Sequence, residues 1–239
     1  MSGRIVLPLD VADLASARAL ADRVGDHVAV HKVGLELFTA HGPAALVPSE
    51  RHRLPIFLDL KLHDIPETVE RAVAAAASHG VAYLTVHASG GRAMLERAVR
   101  RAERESGGAM TILAVTVLTS STDATLAEVG IGGDVAAQVD RLATVALDAG
   151  VRGFVCSPLE VAHLRARAPH AKLVVPGVRQ SGSEAHDQAR VATPAEAIRA
   201  GADLLVIGRP IRDAADPAAA AASIGREIDG ALAHRGVAS

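Results

Sequence analysis

Short apolar runs alternate with Ala-rich amphipathic stretches along almost the whole chain, and this rhythm leaves few folds open. The runs stand at RIVLPLD (4–10), HVAVHKVG (27–34), PIFLDLK (55–61), YLTVHAS (83–89), MTILAVTVL (110–118), GFVCS (153–157), KLVVPGV (172–178) and LLVIGR (204–209). Between them lie VADLASARALADRVG, ETVERAVAAAASHG, RAMLERAVRRAERESG, VAAQVDRLATVALDAG, PLEVAHLRARAPH and TPAEAIRAGA, which read as helices. Gly25, Gly80, Gly150 and Gly201 close several of these stretches, as expected of helix C-terminal caps followed by the next strand. Strand–helix alternation predicts right-handed βαβ units and a parallel sheet. Eight units favour a closed (β/α)8 TIM barrel over a doubly wound sheet, and no G-x-G-x-x-G follows the first run to support a dinucleotide fold.

The remaining composition fits that core. Apolar residues make up 49% of the 239, whereas aromatics contribute 2% with no Trp, so Ala, Val, Leu and Ile must fill the interior. No low-complexity linker divides the chain, which predicts one domain over residues 1–239. The long irregular pieces are 119–133 and 179–192, both directly after strands, where barrel enzymes carry working loops.

Several classes of function lose ground at once. Twenty-five basic against 27 acidic residues make a net charge of -2, with no electrostatic footprint for nucleic acid. The N-terminal MSGRIVLPLD lacks a signal-peptide core, and no stretch reaches the roughly 18 apolar residues of a membrane span. Cys156 is the single cysteine, which rules out an internal disulfide and suits a reducing cytosol. It reads as a small buried apolar residue, since no activating partner is evident.

The third run then breaks the apolar rule. In FLDLKLHDIPETV (57–69), alternation puts Phe57, Asp59 and Lys61 on one face and Ile56, Leu58 and Leu60 on the other. The apolar set must meet the helices, so Asp59 and Lys61 point into the barrel at its C-terminal mouth. Lys32 near the end of the second run and Asp10 at the end of the first occupy equivalent positions, and four ionisable groups therefore converge. Buried charges persist only as a paired, alternating set. A structural ion pair at Asp59 and Lys61, or a Lys32 that snorkels past the strand to water, are the competing readings. Asp64 has its own: with Pro66 in the first turn and Glu67 at the third helical position, it looks like a helix N-cap. His31, His63 and His87 flank the charges at a spacing that fits no standard metal-ligand set, so they read as packing or supporting residues.

A second constellation lies in the last two units. VVPGVRQSGSEAHDQ leaves strand seven through Gly177 and Arg179, and VIGRP leaves strand eight through Gly208 and Arg209. Loops after strands seven and eight are the usual phosphate seat of a TIM barrel. There, glycine admits backbone N–H groups and arginine forks onto oxygens. Each motif alone is a glycine turn with a surface arginine; together they point to a phosphorylated ligand.

KVGLELF, DLKLHDIPETV, AVTVLTS, PGVRQSGSEAHDQARVATP and VIGRPI together resemble the bacterial type of the orotidine 5′-phosphate decarboxylase family, from LPLDVAD to IGRPI. The resemblance implies removal of CO₂ from orotidine 5′-phosphate to give uridine 5′-phosphate, with no metal or organic cofactor. It implies that Lys61 protonates C6, that Asp59 faces the substrate carboxylate, and that Lys32 and Asp64 complete the alternating charges. Asp64 would reach the active site of the other subunit of a homodimer. Asp10 corresponds to a ribose-hydroxyl contact, Thr119 to one near the pyrimidine, and Arg179, Gln188, Gly208 and Arg209 to the phosphate grip. Thr68 joins the substrate-binding set. A cytoplasmic place in pyrimidine biosynthesis follows.

D-x-K-x-x-D also occurs in related phosphosugar barrels, so the rival is a Mg²⁺-dependent 3-keto-gulonate 6-phosphate decarboxylase or hexulose-phosphate synthase. Those relatives typically hold an acidic residue where Lys32 stands. A phosphate-binding barrel without chemistry is the other rival, opposed by the intact Asp59, Lys61 and Asp64 set.

Overall fold

The computed structural model of the protein describes residues 3–47, 51–179 and 192–235. Eight strands follow the eight apolar runs: β1 (Ile5–Pro8), β2 (Val30–Gly34), β3 (Ile56–Leu62), β4 (Tyr83–His87), β5 (Thr111–Val115), β6 (Gly153–Val155), β7 (Lys172–Val175) and β8 (Leu204–Val206). Each pairs in parallel with the next, and β1 pairs with β8, so the sheet closes as the expected TIM barrel.

Helices α1 (Leu14–Val24), α2 (Leu35–His41), α3 (Pro66–Ser78), α4 (Gly91–Ser106), α5 (Asp123–Glu128) and α6 (Val135–Asp148) cover the first half and its junction. The rest are α7 (Val161–Arg167), α8 (Pro194–Ala200), α9 (Arg209–Arg212) and α10 (Pro217–Arg235). Their ends follow side-chain chemistry. Asp13 caps α1 by accepting the Ser16 N–H at 2.8 Å, and Thr193 with Glu196 forms a reciprocal capping box at α8. All four glycines expected to stop helices have positive φ. The loop expected over 119–133 contains α5, started by a Thr122–Thr125 capping box. Most of 179–192 lies outside the described residues.

Strand alternation separates two apolar layers. Ile5, Leu7, Val33, Leu58, Leu84 and Val86 pack outward with the helices. Val6, Val30, Phe57, Leu113, Val174, Leu204 and Val206 fill the barrel interior. This plug ends below the C-terminal mouth, and above it the inward positions turn polar: Lys32 follows Val30, and Asp59 follows Phe57. The charged residues therefore sit on a dry floor of closely packed side chains.

The helix after β3 corrects one expectation. Its N-cap is Ile65, with no side-chain capping bond, and Asp64 instead accepts the Ile65 N–H at 2.6 Å. An Asp64 cap would require Ile65 to be the first helical residue. A residue before proline is pushed out of the α region, and Ile65 is extended, with φ -57° and ψ 148°. The helix starts at Pro66, one residue later than expected.

Candidate active site

Three neighbouring strands, β1 to β3, and the residues just after them build the charged cluster. Lys32, from β2, is 8% exposed, and its Nζ lies 3.2 Å from Asp10 Oδ1 and 3.5 Å from Asp59 Oδ2. Lys61 Nζ lies 2.8 Å from Asp59 Oδ1. Charges thus alternate along Asp10, Lys32, Asp59 and Lys61, which pairs the buried Lys32 and the mostly buried Asp59 on both sides, while Asp10 at the rim is half exposed. The competing idea that Lys32 snorkels to water is wrong, because its ammonium ends between two carboxylates. Burial opposes ionisation of Asp59, but Lys32 and Lys61 outweigh it, with hydrogen bonds from Lys61 and Thr85, and hold the carboxyl below its usual range.

Lys61 reaches this position through an irregular backbone. Its φ is 50°, the single non-glycine residue with positive φ among the described residues. A left-handed conformation costs a non-glycine residue about 1–2 kcal/mol. It coincides with a register shift between β3 and β4, a bulge that re-aims a strand side chain. Glycines make room elsewhere: a Cβ on Gly208 would stand 2.9 Å from Pro8 Cγ, so β1 and the start of α9 approach as closely as they do because residue 208 has no side chain.

The cluster lines a cavity of about 340 Å³, a size suited to a nucleotide-like molecule. Asp10, Lys32, Asp59, Lys61, Thr119, Arg179, Gly208 and Arg209 all border it. Asp64 and Thr68 do not: both are exposed near the start of α3. Gln188 lies outside the described residues. Two bordering or supporting groups escaped the sequence reading. Arg212, three residues beyond Arg209, lines the cavity and donates from Nη1 to the Asp10 carbonyl at 3.1 Å. Thr85 hydrogen-bonds both Asp59 and the Lys61 backbone. Inward parity in YLTVH was the available signal for Thr85.

The remaining candidates settle into lesser places. Cys156 is buried, and burial pushes its thiol pKa up, away from nucleophilic use. His63 and His87 lie against each other with ring centroids 5.6 Å apart and planes tilted by 45°, and burial, His63 and Lys61 lower the pKa of His87. His31 faces the helices, fully buried, with neither ring nitrogen hydrogen-bonded. Among the described residues no three His, Cys, Asp or Glu side chains gather to hold a metal ion, and no helix is long and apolar enough to cross a membrane.

Known proteins share this arrangement of sequence and fold. The orotidine 5′-phosphate decarboxylase of Anaeromyxobacter sp. (strain K) is 56% identical over 224 residues, covering 93% of this chain and 97% of the relative. That of Paramagnetospirillum magneticum is 48% identical over 233 residues, covering 95% and 99%. A crystal structure of orotidine 5′-phosphate decarboxylase from Lactobacillus acidophilus superposes with a TM-score of 0.79 at 34% identity, over 95% of this chain and 99% of that one. The pattern of the Orotidine 5′-phosphate decarboxylase / HUMPS family matches residues 3–224, and the chain belongs to that family.

Proposed function

We propose that the charged barrel mouth decarboxylates orotidine 5′-phosphate with Lys61 as the proton donor. Conversion of orotidine 5′-phosphate to uridine 5′-phosphate, in pyrimidine biosynthesis, is the activity that the chain's family and its named relatives support. The observation that carries the mechanism is the Asp10–Lys32–Asp59–Lys61 alternation inside a cavity that also bears Arg179 and Arg209.

The chemistry needs such a set. When the bond between C6 and the carboxylate breaks, its electron pair stays on C6 in the ring plane, with no adjacent π-system to spread it. CO₂ leaves, and Lys61 Nζ supplies both the stabilising positive charge and the proton that C6 takes up. Asp59 faces the departing carboxylate and orients Lys61, while Lys32 keeps Asp59 ionised. A preorganised ammonium above a dry floor acts more strongly than one in water. Arg179, Gly208, Arg209 and Gln188 grip the phosphate, Asp10 meets the ribose hydroxyls, and Thr119 lies near the pyrimidine. Phosphate binding away from the reacting carbon orients the substrate.

One barrel domain holds this machinery, and two copies share it. Asp64 and Thr68 stand exposed beside Ile65, which is itself 66% exposed, and do not touch their own chain's cavity. A homodimer in which they complete the partner's site gives these residues a use. The enzyme works in the cytoplasm on a small nucleotide, with no nucleic acid or membrane involved.

Lys32 also favours this reading over the Mg²⁺-dependent phosphosugar enzymes, which typically place an acidic residue there. Turnover of orotidine 5′-phosphate with and without EDTA tests it. Chelation should leave the rate unchanged; activity lost to EDTA and restored by Mg²⁺ would transfer the chain to the metal-dependent relatives. Phosphate-ligand binding without turnover would leave only a binding barrel.

A further inference from the structure

One fully buried hydroxyl joins the two residues on which the reaction turns. Between β3 and β4 the register passes from Leu58↔Leu84 to Leu62↔Val86. Four steps on β3 (58 to 62) therefore face two on β4 (84 to 86), and Asp59, Leu60 and Lys61 all stand opposite Thr85. Thr85 is 0% exposed, and its hydroxyl supplies what the interrupted strand pairing does not. Oγ1 accepts the Lys61 backbone N–H at 2.9 Å and donates to Asp59 Oδ1 at 3.0 Å. A hydroxyl with one proton and two lone pairs satisfies both partners at once.

We propose that Thr85 is a positioning residue for the decarboxylation, holding Lys61 in its left-handed backbone conformation and the Asp59 carboxylate in line with the Lys61 ammonium. This inference rests on the roles given above to Lys61 and Asp59. Three facts favour it over a buried threonine that merely satisfies itself. Both of its partners are site residues. One bond restrains the strained backbone, whereas the other ends on the oxygen that Lys61 Nζ also contacts. Valine keeps the shape of threonine and makes neither bond; serine makes both.

The pH dependence of turnover separates positioning from packing. Asp59 is faced by Lys32 from β2, by Lys61 on its own strand and by Thr85 and His87 from β4, with Asp10 beyond Lys32. Removing the Thr85 donor leaves all those charges in place but takes one hydrogen bond from the ionised carboxylate. Its pKa must then rise, so activity should fail at a higher pH on the acid side.

Thr85→Val and Thr85→Ser, each checked for folding by circular dichroism and thermal melting, test the proposal. Thr85→Val should lose about tenfold to a hundredfold in kcat, the size of one or two lost hydrogen bonds. KM should change less, and the acid limb should move up in pH. Thr85→Ser should recover most of the turnover and the parent acid limb. A folded Thr85→Val with parent kcat and acid limb would overturn the proposal, as would a Thr85→Ser as impaired as the valine variant. If valine prevents folding, Thr85→Cys, with its weak S–H donor, takes its place, and parental kcat there would equally overturn it. If the parent itself does not decarboxylate the substrate, the proposed function fails first. The Asp59 carboxyl titration, followed by NMR in the ligand-free protein, then still reads the Thr85 bond: no rise in Thr85→Val would refute it.

Discussion

Gly34 leaves open the space that Lys32 occupies: a Cβ at residue 34 would stand 3.2 Å from the Lys32 Nζ and 3.2 Å from Asp10 Oδ1. The backbone there is extended, with φ -97°, so a side chain would meet no conformational penalty, only the ion pair. Gly34→Ala should therefore fold with little change in melting temperature yet lose about tenfold in kcat/KM, since small displacements of preorganised groups are costly. Steady-state kinetics beside a melting curve checks this. Unchanged kinetics would show that the Asp10–Lys32 pair tolerates displacement.

His31 carries a different consequence, for stability. Burial lowers its pKa from 6.5 to about 4, and neither ring nitrogen has a partner. The unfolded chain then binds a proton at a pH where the folded one does not. Its contribution is complete above pH 6.5 and is lost as pH falls toward 4, by at most about 3 kcal/mol. Denaturant midpoints of the parent should drop across that window. His31→Leu, which sacrifices no hydrogen bond, should flatten the drop, whereas an equal drop in both proteins would assign the acid sensitivity to other groups.

Arg209 divides phosphate binding from chemistry. Arg209→Ala should weaken binding of orotidine 5′-phosphate by about 1.5–3 kcal/mol, the range for a charge-assisted contact. A truncated substrate without phosphate should be much less affected. Equal losses for both substrates would make Arg209 structural and place the phosphate elsewhere.

Lys61 and Asp64 test the shared site together. Lys61→Ala and Asp64→Asn should each be inactive and folded. Mixed, with free subunit exchange, about half of the dimers would be hybrids, each with one site holding both native residues. Recovery of activity on mixing is expected. No recovery, with exchange demonstrated by mass spectrometry, would confine Asp64 to its own chain.

Much of this is legible in the sequence itself. The eight strands follow the eight apolar runs because each strand is covered by helices and must be apolar on its outer face. The glycine stops were equally readable, since a left-handed residue after a helix selects glycine through its own backbone. Alternation aimed Asp59 and Lys61 inward, with Lys32 at the equivalent place in the neighbouring run, and all three line the cavity. The start of α3 was legible too, although the capping pattern at Asp64 obscured it: Ile65 precedes proline, and that local rule outweighs the cap. Helix α10 is harder to read, because alanine on several faces blurs the stripe of Ala221, Ile224, Ile228 and Ala231 that it buries.

Local periodicity and backbone preference reach only a few residues along the chain, and what they determine is the order of elements, their inner and outer faces and the types of charge at the mouth. The tertiary structure decided how neighbouring strands register. Closure of the barrel sets β3 against β4 with two residues to spare, and the excess is absorbed at Asp59, Leu60 and Lys61. From that offset come the left-handed Lys61, the 2.8 Å contact of its ammonium with Asp59 and the bridging place of Thr85. No spacing within either strand encodes it, because an offset between two strands is a property of the pair.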